Sequence, residues 1–61
     1  MMKYVTVEEV AQHLRCSIPT VYRYVSNRTL PYFKQGHRVL FDLEEIDNWM
    51  QKFRIEVIKS N

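Results

Sequence analysis

The stretch CSIPTVYRYVSNRTLP, Cys16 to Pro31, decides how this chain is read. It sets Pro19 inside what otherwise has the pattern of a helix. Ser17 is a natural N-cap, which puts Ile18, Pro19 and Thr20 in the first helical turn. Proline is tolerated there, because the amide groups of that turn have no intrahelical acceptor to lose. Cys16, just outside the cap, can staple onto Val21, and Ile18, Val21 and Val25 form the inward stripe. Pro19 therefore marks where a helix begins. Asn27 can take the left-handed conformation that closes it, and Pro31 prevents a restart.

On the N-terminal side, Thr6 and Glu9 have the spacing of a capping box, and Val5 can staple onto Val10. Val7, Val10, Ala11 and Leu14 follow at the spacing of one helical face. Only Arg15 and Cys16 separate Leu14 from the Ser17 cap, so the two helices must cross steeply, as in a helix-turn-helix. On the C-terminal side, β-favouring residues flank the chain's single glycine: Tyr32, Phe33 and Lys34 before Gln35-Gly36-His37, then Arg38 to Phe41. That pattern predicts a short hairpin. Asp42 and Glu45 repeat the capping box, Phe41 can staple onto Ile46, and Ile46, Trp49, Met50 and Phe53 form a third apolar face. The predicted order is helix, turn, helix, hairpin, helix: one mainly α domain over residues 1–61. The segment 54–61 either extends the last helix through Val57 or frays.

The chain has 61 residues, too few for more than one domain, and a core this small must be compact. One cysteine leaves no internal disulfide and fits a reducing compartment. No apolar run approaches the ~20 residues of a membrane span, and MMKYVTVEE lacks the apolar core of a signal peptide. A small cytoplasmic protein with no membrane partner is expected.

Net charge is only +2, but its distribution is uneven. From Val10 to Phe41 there is no Asp or Glu, while Arg15, Arg23, Arg28, Lys34 and Arg38 all lie there. A polyanion-binding surface needs such a stretch, because a carboxylate facing a phosphate costs affinity.

Catalysis finds no support. There is no glycine loop to cradle phosphate, and no His stands beside a Ser or Cys in a nucleophile motif. His13 and Cys16 with the distant His37 fall short of a tetrahedral ligand set. Neither an enzyme, a small-molecule substrate, a metal nor a cofactor is expected. The second helix is different. At about 100° per residue from Val21, its outermost positions are Pro19 and Arg23, flanked by Tyr22, Ser26 and Asn27. Arginine's forked donors match guanine O6 and N7 in the major groove, or a phosphate. Thr20 and Tyr22 can give hydroxyls to phosphates, as can Ser17 if its side chain is not taken up as a cap. Tyr24 and Trp49 fall on inward faces and belong to the core.

These residues resemble the excisionase-type DNA-binding domain, a small relative of MerR winged-helix domains. The resemblance rests on Ser17 with Thr20 to Arg23, Leu30-Pro31, Lys34 with Gly36, Arg38 with Phe41-Asp42, and Trp49, and it covers about residues 4 to 53. It implies a winged helix-turn-helix that binds specific double-stranded DNA, with the second helix in the major groove and the hairpin wing on the backbone or minor groove. Thr20, Tyr22 and Arg23 would be the helix contacts, and Lys34 and Arg38 the wing contacts, with His37 beside them at the tip. Relatives of this kind include recombination directionality factors of phages and mobile elements and small transcription regulators. A recombinase or a second copy would then be a protein partner, and an adaptor role docking such a partner through the last helix is the alternative from another class. In the family a glycine often stands where Arg28 sits, so the helix exit here is expected to rely on Asn27. Arginine often follows the wing glycine where this chain has His37.

Overall fold

The computed structural model describes residues 3–57. In chain order it contains β1 (Tyr4–Val5), α1 (Val7–Leu14), α2 (Ile18–Ser26), β2 (Phe33–Gln35), β3 (Arg38–Asp42) and α3 (Leu43–Met50), followed by a 3₁₀ turn at Gln51–Phe53. The helices pack against a three-stranded antiparallel sheet of order β1-β3-β2, giving the mainly α winged helix-turn-helix that the sequence predicts.

Local chemistry explains the helix starts. Thr6 Oγ1 accepts from the Glu9 amide at 3.3 Å, and Glu9 Oε1 accepts from the Thr6 amide at 3.2 Å, so the capping box of α1 is complete. Ser17 Oγ accepts from the Thr20 amide at 3.3 Å, with Pro19 in the first turn of α2. At α3 Asp42 caps the helix but the predicted box is not made. Asp42 accepts from the Glu44 amide at 3.0 Å, and not from Glu45 as the spacing predicts. Asp42 is at once the last residue of β3, opposite Tyr4, and the cap of α3, so its geometry serves two elements.

The helix ends depart further from expectation. Asn27 does not take the left-handed conformation; its φ is −82°, and Arg28 takes it instead at +55°. The Thr29 amide then donates to Tyr24 O and the Arg28 amide to Val25 O, both at 3.0 Å, which is the Schellman arrangement. Delaying the exit by one residue delivers Leu30 to the core, where it is 2 % exposed. α1 ends the same way, with Arg15 at φ +56°, Cys16 N donating to Ala11 O at 2.9 Å and Arg15 N to Gln12 O at 3.2 Å.

β1 is not foreseen by the sequence reading, which treats Val5 only as a staple. Val5 lies opposite Phe41 and Tyr4 opposite Asp42, adding a third strand to the expected two-stranded hairpin. In that hairpin Gln35 pairs with Arg38 across a two-residue loop, Gly36-His37. Gly36 has φ +60° and His37 does not share the left-handed region, the pattern of a type II′ turn.

The core comprises Val5, Val7, Val10, Ala11, Val21, Leu30, Phe41, Ile46 and Trp49, which joins all three helices to the sheet. Cys16 and Val25 pack at its edge, whereas Ile18, expected inward, is 40 % exposed: α2 meets the core at Val21 and its first turn runs past it. Met50 and Phe53 also lie outward of the predicted stripe, at 41 % and 59 % exposed. Phe53 still meets the edge of Trp49 at a ring distance of 4.8 Å, with Tyr24 on Trp49 at 5.5 Å. After Phe53 the backbone turns extended at Arg54, so the last helix does not continue through Val57. The rest of the tail lies outside the described residues. His13 Nε2 sits 2.7 Å from Asp47 Oδ1, tying α1 to α3.

Candidate nucleic-acid interface

α2 presents the face that its periodicity predicts. Pro19, Tyr22, Arg23, Ser26 and Asn27 are all exposed, and no acid lies in its first turn. Its hydroxyls are partly committed. Ser17 Oγ caps the helix and lies 2.8 Å from Thr20 Oγ1. One proton is used between the two hydroxyls, so the pair retains a single free donor for an acceptor outside the chain. Ser17 and Thr20 thus act as one polar group at the start of the helix.

Ile18 is the residue on this face that the sequence reading misses. It lies one turn before Tyr22, and the two are 40 % and 50 % exposed. An exposed apolar pair beside Arg23 can meet a thymine methyl while the arginine meets guanine or phosphate. Periodicity assigns Ile18 inward because it cannot show how short the contact between α2 and the core is.

The wing carries Lys34, His37 and Arg38, all exposed. Strand register separates two of them. Lys34 lies opposite Val39 and so shares the face of Val39 and the buried Phe41. Arg38 alternates with them and lies on the outer face with Leu40, Phe33 and Tyr4. On that face the Tyr4 and Phe33 rings meet edge-on at 5.3 Å. Lys34 and Arg38 therefore reach out from opposite sides of one ribbon.

Helix and wing meet at a groove of about 310 Å³. Tyr22 of α2 lines it together with His37, Arg38, Val39 and Leu40 of the wing and Thr6 to Glu8 at the start of α1. Two candidate contacts of the wing and one of the helix thus share a single concavity. Glu8 brings an acid to its rim. Arg28 is not part of this groove. It lines a larger one, about 630 Å³, with Thr29 to Tyr32 and with Glu45, Asn48, Trp49 and Lys52 of α3 and the turn beyond.

None of Arg15, Arg23, Arg28, Lys34 and Arg38 forms an ion pair among the described residues, where the pairs are His13 with Asp47 and Arg54 with Glu56. Five exposed basic side chains without acidic partners are available to a polyanion. Among the described residues no helix is long and apolar enough to cross a membrane.

Comparison with known proteins gives no match among curated proteins and none among solved structures. One family model does match, described as a helix-turn-helix domain, and it spans residues 4–54, from β1 through α3 to the end of the 3₁₀ turn. With the short α1–α2 connection and the exposed, acid-free face of α2 that bears Arg23, that match makes the chain a member of the helix-turn-helix domain family, a DNA-binding class.

Proposed function

We propose that this protein binds specific double-stranded DNA in the manner of an excisionase, with α2 in the major groove and the β2–β3 wing against the backbone or minor groove. The observation that carries the reading is the shared groove: Tyr22 of α2 and His37 and Arg38 of the wing line one concavity, beside an α2 face that bears Arg23 and no acid. A duplex meeting that surface would be read by Arg23, Ile18 and Tyr22 and held by Thr20, Lys34, His37 and Arg38. Ser17 supports Thr20, while Pro19, Asn27 and Arg28 would border the helix on the DNA.

The excisionase kind is favoured over a MerR-like transcription regulator by the ordered motif set from Ser17 to Trp49. A protein partner has a separate basis. Phe53 at the end of the 3₁₀ turn and Ile55 and Val57 beyond it are 59 %, 86 % and 79 % exposed, a surface suited to a recombinase or a second copy bound next to the DNA. Selection of bound sequences from a random duplex library, followed by footprinting of the selected site, tests the reading. A defined site with major-groove protection over α2 supports it; recovery of unenriched sequences contradicts it.

A further inference from the structure

Among the described residues, two that are not glycine have positive φ, and both are arginines: Arg15 at +56° and Arg28 at +55°. They occupy equivalent positions. Each sits at the left-handed exit of a helix, Arg15 directly after Leu14 and Arg28 one residue beyond Asn27, and is fixed there by the same pair of backbone hydrogen bonds to the preceding turn. Glycine is the ordinary occupant of this position, because an L side chain crowds the backbone there. Both arginines are exposed, and neither has an acidic partner among the described residues. The left-handed turn itself serves the fold, at Arg28 by bringing Leu30 into the core, but among the described residues no ion pair of either side chain accounts for an arginine where glycine would do. A strained side chain without such a partner points to a functional position.

The two lie at opposite ends of α2. Arg15 is two residues before its Ser17 cap, and Arg28 follows Asn27. α2 has nine residues. At 1.5 Å per residue it is roughly 13 Å long. Charges just outside both ends of a helix seated in the major groove are within reach of the phosphate backbones that border it.

We propose that Arg15 and Arg28 are phosphate anchors at the two ends of α2, held at positions where glycine would make a more stable fold and a weaker DNA binder. This rests on the DNA-binding reading above and extends it to Arg15, which the sequence marks only as part of the basic run. The anchors are blind to sequence, since phosphates carry no base identity.

The test measures stability and binding on the same variants. Arg15→Gly and Arg28→Gly should each raise the thermal unfolding midpoint, by roughly 2–8 °C once glycine's greater loss of backbone freedom is set against the relieved strain. Each should also weaken binding to a labelled duplex of arbitrary sequence and make the log-log salt slope shallower by about 0.9. Arg15→Lys keeps both the charge and the left-handed strain, so its slope should match wild type. Arg54→Ala removes a basic residue from the tail, paired with Glu56, and should leave the slope unchanged. If either glycine variant binds DNA with wild-type affinity and slope, the anchor assignment is overturned while the DNA-binding reading stands. If the slope falls equally in Arg54→Ala, net charge and not position is responsible, and the assignment is again overturned. Wild-type protein that binds no duplex would remove the underlying reading itself.

Discussion

Val5 stands directly opposite Phe41 in the β1–β3 ladder, and both are buried, Phe41 completely. This pair joins the N-terminal end of the chain to the strand that carries the wing. A domain of 61 residues has a total stability of about 3–9 kcal/mol. Truncating a buried phenylalanine to alanine costs about 3–5 kcal/mol. Phe41→Ala should therefore leave the chain largely unfolded near room temperature, whereas Tyr4→Ala, at a half-exposed edge position, should keep the transition cooperative. Thermal denaturation followed by circular dichroism distinguishes the two.

Much of this fold could be read locally. Thr6 with Glu9, and Ser17 with Pro19, declare helix starts because the bonds that satisfy the first amides come from residues two or three places away. β1 could not be read this way. Tyr4-Val5 is too short to show alternation, and it becomes a strand only through a partner far along the chain. The exit of α2 failed for a related reason. Asn27 has the better left-handed propensity, but burying Leu30 requires the chain to turn one residue later, so Arg28 takes the strain. The candidate site divides similarly: the outward face of α2 follows from its period, while the meeting of Tyr22 with His37 and Arg38 depends on packing that no local pattern encodes.

Arg23 projects from the middle of the exposed face of α2. Arg23→Ala should weaken binding to the selected site by about 1–3 kcal/mol, the worth of a good bidentate base contact, and should weaken binding to random duplex by less. Competition assays with both duplexes give the two numbers. Equal losses on both would make Arg23 a phosphate contact.

Lys34 and Arg38 lie on opposite faces of the wing, and only Arg38 lines the groove shared with Tyr22. Arg38→Ala should weaken binding to every sequence and make the salt slope shallower by about one unit. Lys34→Ala should do less. A reversed order would mean that the wing meets DNA with its inner face.

Glu8 lies on the rim of the same groove and in the first turn of α1. Its charge should favour the helix and oppose a phosphate in the groove. Glu8→Gln is expected to lower the unfolding midpoint slightly and to tighten binding to any duplex. Paired melting and anisotropy measurements would show the opposite signs; a variant that binds no better than wild type would put the groove away from the DNA.

The salt dependence of duplex binding by the unmodified chain bears most directly on the interface itself. The chain has five exposed basic residues between Val10 and Phe41 and no acid among them. At about 0.9 per neutralised phosphate, their joint engagement should give a log-log slope of roughly −3 to −5. Titrating a labelled duplex at several salt concentrations measures it. A slope near zero, or no detectable binding at low salt, would contradict a DNA interface built from α2 and the wing.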